Sequence, residues 1–408
     1  MAEWQTVRLG EIVKTNQSTY SPKENWQFVN YLDTGNITMN KIDEIQYINT
    51  AKDKLPSRAK RKVKTNSIIY STVRPNQLHY GIIKEQPDNF LVSTGFTVIE
   101  VNYDKAVPDF IYYALTKQEV TEQLQAIAEQ SVSAYPSLKP SDIENLEFML
   151  PDKKTQERIV AILRSIDEKI KENNAINNNL EQQVQAIFKS WFVDFEPFGG
   201  VQPPEMKFVP LQELCKVVTK GTTPTTLGKP FTSSGINFIK AESILDSHSI
   251  DSSKFAFIDE ETNALLKRSI IKANDIVFTI AGTLGRFAMV DNSVLPANTN
   301  QAVAIIRPDE NKVTPAYLYS FFIGNWHNEY YSKRIQQAVQ ANLSLTTIKS
   351  LPIAVLSNTT MNDYDELVSP LFALMKGNEE ENRRLSELRD TLLPKLMSGE
   401  LDVSDIDL

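Results

Sequence analysis

Apolar positions in the second quarter of the chain recur at a helical period. They run Ile159, Leu163, Ile166, Ile170, then Leu180, Val184, Ile187 and Trp191, in steps of 4, 3, 4, then 10, then 4, 3, 4. Asn173 and Asn177 fill the gap of ten in phase. This is a heptad seam with a polar centre, and it predicts one helix over 152–196, a stretch without Gly or Pro. At 1.5 Å per residue, about 44 residues make a rod of about 66 Å. Pro151 closes the preceding segment and Asp152 is placed to cap the helix. A second seam reads Leu367, Leu371, Leu374, Asn378, Glu381, Leu385, Leu388 and Leu392, and shifted by 208 it falls on the first, polar centre included. Pro394 predicts a kink near the end of this second helix and Gly399 its C-cap. Helices of this length with a single apolar stripe need partners. Packed on each other about a twofold they form an antiparallel pair whose asparagines fix register; the alternative is that each covers only its own globular part.

The remaining segments read as short strands: SIIYSTV, STGFTVIEV, DIVFTI and NQAVAIIRP, bounded by Gly, Pro, Asn and Asp. They also repeat. VKTNSIIYS (63–71) lines up with IKANDIVFT (271–279) at an offset of 208, and PDFIYYAL (108–115) with PAYLYSFF (315–322) at 207. LKPSDIENL (138–146) lines up with LSLTTIKSL (343–351) at 205, and Leu9, Glu11 and Ile12 with Leu211, Glu213 and Leu214 at 202. A period this long means two diverged, domain-sized copies related by an internal pseudo-twofold, not a solenoid. The expected organisation is an α+β unit over 1–150, a helix over 151–196, a Pro/Gly linker over 197–210, a second α+β unit over 205–352, and a closing helical region over 353–408.

Composition narrows the function. The 408 residues are 41% hydrophobic and 23% charged, enough to build cores. Cys215 is the only cysteine, which excludes an intrachain disulfide or a cysteine metal cage. The histidines His79, His248 and His327 are scattered. MAEWQTVRLG has neither the basic nor the apolar region of a signal peptide, and no apolar run nears the ~18 residues of a membrane span, so a cytoplasmic protein is expected. The net charge of −8 is uneven: +3 over residues 1–100, −6 over 101–200, zero over 201–300 and −5 over 301–408. KDKLPSRAKRKVK (52–64) sets seven basic residues against Asp53. Such a run is either a solvated basic loop or a local phosphate-binding field.

No self-contained chemistry is found. The nearest approach to an amino-methyltransferase base-stacking motif, Gln202-Pro203-Pro204-Glu205, lacks the aromatic residue. Asp167-Glu168-Lys169 suggests nuclease carboxylates, but it lies between seam positions Ile166 and Ile170 and is expected on the solvated face. Gly221 and Gly228-Lys229-Pro230 have the wrong spacing for a phosphate loop. What remains suits reading two separated sites on DNA. Arg74, Asn76 and Gln77 follow one strand, and Thr283 and Arg286 follow its counterpart. Arg can pair bidentately with guanine, and Asn or Gln with adenine. Lys60, Arg61, Lys62 and Lys64, with Lys267 and Arg268 in the second copy, would hold phosphates.

The helical stretches QERIVAILRSIDEKIKENNAINNNLEQQVQAIFKSWFVDFEP and ENRRLSELRDTLLPKLMSGELDV, with Leu150–Ile159 as an LPxxxxQERI boundary, resemble the specificity subunit of type I restriction-modification enzymes over essentially the whole chain. The second copy departs from the boundary motif, with Asp365-Glu366-Leu367 in register. The resemblance implies an α+β fold of two similar globular α/β target recognition domains separated by a long antiparallel two-helix coiled coil. It also implies a non-catalytic subunit whose domains each read half of a bipartite target in double-stranded DNA. Its partners would be two methyltransferase subunits using S-adenosylmethionine, joined by restriction subunits using ATP and Mg. The chain itself would bind no cofactor. The rival reading is a coiled-coil scaffold that binds only protein.

Overall fold

The computed structural model describes residues 4–131, 136–324, 326, 343–404 and 406; His327 lies outside them. The chain separates into two compact units, Met1–Glu172 with Glu381–Leu408, and Asn173–Glu380.

In chain order the first unit carries β1 (Gln5–Arg8), β2 (Val13–Thr15), β3 (Phe28–Leu32), β4 (Ile37–Thr38), β5 (Lys41–Ile42), β6 (Gln46–Asn49), β7 (Ala59–Lys62), β8 (Ile68–Ser71), β9 (Tyr80–Ile82), β10 (Phe90–Ser93) and β11 (Phe96–Val101). Then come α1 (Pro108–Leu115), α2 (Gln118–Glu129), α3 (Pro140–Glu144), β12 (Glu147–Leu150) and the long α4 (Lys153–Phe192), whose second half belongs to the other unit. The second unit continues with β13 (Lys207–Pro210), β14 (Cys215–Lys220), β15 (Ile236–Ile239), β16 (Ala256–Ile258), α5 (Glu260–Leu265), β17 (Ile276–Thr279), β18 (Phe287–Met289), β19 (Ala297–Thr299), β20 (Val303–Pro308), α6 (Pro315–Ile323), α7 (Leu345–Lys349) and β21 (Pro352–Val355). The long α8 (Asn358–Ser398) closes the second unit and returns to the first.

The repeat is topological. Antiparallel sheet β2-β11-β8-β9 in the first unit has the same strand order as β14-β20-β17-β18 in the second. Strand β3 lies parallel to β10 and antiparallel to β6; β15 likewise lies parallel to β19 and antiparallel to β16. Terminal pairs β1–β12 and β13–β21 match as well. One strand breaks the match. The edge strand β7 pairs with β10, whereas the second copy keeps only an isolated bridge, Ile271 to Ala297. Asn66 and Asn274 occupy equivalent left-handed positions, φ 69° and 65°, ahead of β8 and β17. Asn tolerates that conformation, and so starts both hairpins alike.

A second equivalence concerns polar groups buried under these hairpins. In the first unit the fully buried Ser67 donates to Glu100 Oε1 at 2.5 Å and accepts from the Lys64 amide at 2.9 Å. The same places in the second unit hold Asp275 and Arg307, joined at 2.7 and 2.6 Å, with the Lys272 amide donating to Asp275 at 2.8 Å. The backbone frame is kept while the side-chain chemistry has been exchanged.

Helix α6 is apolar all round and is buried, as that pattern requires; Pro315 begins it and the Thr314 hydroxyl accepts from the Tyr317 amide at 3.1 Å. Asp152 caps α4 by accepting from the Thr155 amide at 3.0 Å and its hydroxyl at 2.9 Å. These bonds hold its carboxyl below the ordinary Asp value.

In each unit a half of α4 packs antiparallel to a half of α8. In the first unit Ile159, Leu163 and Ile166 are buried and Ile170 half-buried, with Ile159 and Leu163 in one apolar cluster with Leu396 and Met397. Asp167 takes hydrogen bonds from Tyr113 Oη at 2.7 Å and Arg389 Nη1 at 3.1 Å, so it serves packing and does not sit on a solvated face as expected. In the second unit Leu180 and Val184 are buried, and Phe188 and Phe192 share a core with Tyr364 and Val368. Asn173 is fully buried; the half-buried Asn177 accepts from Asn378 at 2.7 Å and donates to the Met375 carbonyl at 3.1 Å.

The α8 seam needs correcting. Leu371, Leu385 and Leu392 are half-buried, but Leu367, Leu374 and Leu388 are exposed. The inward positions are instead Val368, Met375 and Arg389, one residue further on. Leu367, Leu374 and Leu388 each stand one residue before the true inward position, so apolarity alone could not choose between them. Arg389 is acceptable inside because Asp167 meets it. The helix also runs unbroken through Pro394.

Candidate nucleic-acid interface

The loop between β8 and β9 is built to present side chains. Arg74 and Leu78 both have left-handed backbones, φ 48° and 57°, bracketing a tight turn through Pro75, Asn76 and Gln77. Each such non-glycine residue costs about 1–2 kcal/mol, so the turn persists only because its surroundings fix it. They do: the Arg74 amide donates to the Pro136 carbonyl at 3.1 Å, and the Asn76 amide to Gln125 Oε1 on α2 at 3.2 Å. The side chains of Arg74, Asn76 and Gln77 are exposed. Against this turn lies the β4–β5 hairpin, whose tip residues Met39 and Asn40 donate their amides to the Leu78 and Tyr80 carbonyls at 2.9 and 2.8 Å. His79 Nδ1 sits 2.6 Å from the Ile37 carbonyl.

The loop between β17 and β18 is its structural counterpart. Its neck is tied by Thr279, whose amide donates to the Arg286 carbonyl, whose carbonyl accepts from the Gly285 amide, and whose hydroxyl donates to the Thr283 carbonyl. Gly282 and Gly285 have φ of 78° and 86°, which only glycine takes without strain. Thr283 is exposed. Arg286 is not free: Nε and Nη2 bond Asp246 at 2.8 and 2.5 Å, and Nη1 lies 3.4 Å from the Ile244 carbonyl. Asp246 stands on the turn between Ile244 and Ile250, the counterpart of the β4–β5 hairpin. Sequence reading found both loops but missed both hairpins, along with Met39, Asn40, His79 and Asp246. Extending the offset of 207 would have set 37–42 beside 244–249; no local motif marks either.

The basic run 52–64 is mostly not a uniform charged loop. Lys60, Arg61 and Lys62 lie on β7. Lys60 is exposed. Arg61 is half-buried, and burial holds its guanidinium below the ordinary Arg value. Lys62 pairs with Glu24, over the Trp26 ring at 5.1 Å, and its bond to Glu24 holds that carboxyl low. Lys64 pairs with Glu100 at 3.0 Å. In the second unit Lys267 and Arg268 are exposed on a short turn, Arg268 reaching the Thr222 hydroxyl at 3.3 Å. The four cations of the first run are therefore unequal. We expect Lys60→Gln to weaken DNA binding at all sequences and to flatten the salt slope by about 0.9. Lys62→Gln and Lys64→Gln should flatten it less, because each already answers a carboxylate. Titrating binding against salt checks this, and equal slopes for all three variants would contradict it.

Among the described residues no three His, Cys, Asp or Glu side chains are grouped to hold a metal ion, and no helix is long and apolar enough to cross a membrane.

Two copies of one α+β unit, each presenting a clasped loop, and two long helices shared between the units define a duplicated recognition protein. The chain matches the type I restriction modification DNA specificity domain over residues 1–182 and 203–356, and it belongs to that family, the DNA-recognition subunits, themselves non-catalytic, of type I restriction-modification systems. It is 28% identical to the type I restriction enzyme HindI specificity subunit of Haemophilus influenzae, over 98% of this chain and 100% of that one. It is 25% identical to the MjaIX specificity subunit of Methanocaldococcus jannaschii, over 80% of this chain and 76% of that one. The crystal structure of a type I S subunit from M. genitalium superposes with a TM-score of 0.56 at 16% identity, covering 99% of this chain and 97% of its own, a likeness of fold.

Proposed function

We propose that each repeat reads one half of a bipartite DNA target, the first through the loop at Arg74–Gln77 and the second through the loop at 281–286. The observation that carries this is the equivalence of two braced loops on matching strands of two units of the same topology. In this reading α4 and α8 set the distance between half-sites and dock two methyltransferase subunits. Those subunits would use S-adenosylmethionine, and restriction subunits using ATP and Mg would join them; the chain contributes recognition and no cofactor. The domain limits that follow are 1–150 and 205–352 for the readers and 151–196 with 353–408 for the helices. A scaffold that binds only protein would not need two clasped polar loops.

The test is exchange. Replacing 205–352 with the same part of a relative, in the assembled complex, should change one half of the methylated motif and leave the other intact. Sequencing methylated sites reads this out. A change in both halves, or in neither, would refute independent reading.

A further inference from the structure

The second unit holds an arginine whose guanidinium is already half engaged, and the geometry of that engagement specifies what it can read. Asp246 takes the Nε–H and one Nη2–H of Arg286, a two-bond clamp at 2.8 and 2.5 Å along one edge of the planar group. The Ile244 carbonyl lies 3.4 Å from Nη1. A guanidinium has five N–H donors in a fixed fork. Nε–H, one Nη2–H and one Nη1–H are thus engaged, which leaves one N–H on each of Nη1 and Nη2. Those two donors match the O6 and N7 acceptors that guanine alone presents side by side in the major groove.

The clamp is itself held in place. Asp246 sits on a turn closed by the Ile244–Ile250 bridge and by the Leu245 amide donating to the Ser249 carbonyl at 3.0 Å. His248, two residues on, has φ 59° and stacks on Phe287 of β18 at 4.1 Å. Its carbonyl accepts from Tyr319 Oη on α6 at 3.2 Å, and its Nε2 lies 3.5 Å from Glu181 on α4. The Arg286 backbone is pinned from the other side, its amide donating to Thr279 Oγ1 at 2.9 Å. Both partners are thus fixed before DNA arrives, which removes ordering costs from recognition. The Asp246 side chain is 79% exposed while that of Arg286 is 26% exposed. The two bonds to Asp246 fix the plane of the better-covered guanidinium.

We infer that Asp246 and Arg286 form one guanine-reading unit in the second half-site, Arg286 contacting the base and Asp246 positioning it. This rests on the half-site reading proposed above and assigns it a base. The experiment co-expresses the full chain with the methyltransferase subunits of its own system and maps every methylated site. The motif half governed by 205–352 should contain a guanine whose preference over other bases is roughly tenfold to hundredfold. Arg286→Lys keeps the charge but not the fork, and should bring that position close to parity while all others stay as they were. Arg286→Gln should shift it toward adenine, whose donor–acceptor pair suits an amide. Asp246→Ala should weaken the guanine preference by about three- to tenfold at that position only, a change that loss of mere structural support would not confine to one base pair. An unchanged motif in Arg286→Lys and Arg286→Gln overturns the inference, as does a change in the other half. A wild-type preference in Asp246→Ala refutes the paired unit. If exchanging 205–352 moves neither half, it is the half-site reading that has failed, and the two failures are thereby told apart.

Discussion

Seven residues inserted into each long helix, after Asn173 in α4 and after Glu381 in α8, are expected to lengthen the unread spacer of the target and to leave both half-sites unchanged. Seven residues are two turns of a heptad seam, so every inward side chain keeps its face. They add about 10 Å of helix, or roughly three base pairs at 3.4 Å each. The observed gain should fall somewhat short of three, because the added turns also rotate the readers around the duplex, and bending DNA to compensate costs several kcal/mol. Two residues instead turn the seam by about 200°. Asn177 with Asn378 and Asp167 with Arg389 each lie on one side of both insertions and would persist, but the inward face of each helix would fall out of phase between its two halves. Activity should then be lost. Sequencing methylated sites decides: an unchanged spacer in an active double insertion of seven would refute the helices as the measure of distance.

Arg307→Ala is expected to be the most damaging single change to folding. Asp275 has no exposed side-chain surface and Arg307 only 20%. Removing the arginine leaves a buried carboxylate answered only by the Lys272 amide, at a cost of about 3–5 kcal/mol and a fall in the unfolding midpoint of the second unit of roughly 10 °C. The pair Asp275→Ser with Arg307→Glu, which installs the chemistry of Ser67 and Glu100, should cost much less than the sum of its parts, since neighbours in one network are not additive. Thermal and urea unfolding measure both. A loss below about 1 kcal/mol for Arg307→Ala would mean that water reaches the pair.

The duplication was legible because strands tolerate sequence drift as long as apolar positions persist, and an offset of 202–208 kept them. The long helices were legible for the same reason, and Asn66 and Asn274 fall at matching turns. Packing choices were less so. Whether Leu367 or Val368 faces inward depends on which side of a broad apolar stripe meets α4, and Arg389 could be read as inward only with Asp167 in view. The basic run misled in part because its partners are remote: Glu24 and Glu100 lie far from Lys62 and Lys64 in sequence. The two clasping hairpins carry no motif, and their role at the candidate site arises from backbone contacts such as those of Met39 and Asn40, which composition does not encode.

The exchanged pairs beneath the hairpins constrain how the gene can evolve. Two similar copies in one reading frame invite recombination between them. A crossover falling between the coding positions of 67 and 100, aligned with those of 275 and 307, would join the second copy's Asp275 to the first copy's Glu100, placing two carboxylates together under one sheet. The reciprocal product would set Ser67 against Arg307, a cation without its counter-charge. Neither hybrid would fold well. Crossovers outside that interval transfer each pair whole. Viable chimeras should therefore inherit the hairpin, its loop and its buried pair as one block, so that new DNA specificities are gained by the module and not by the residue.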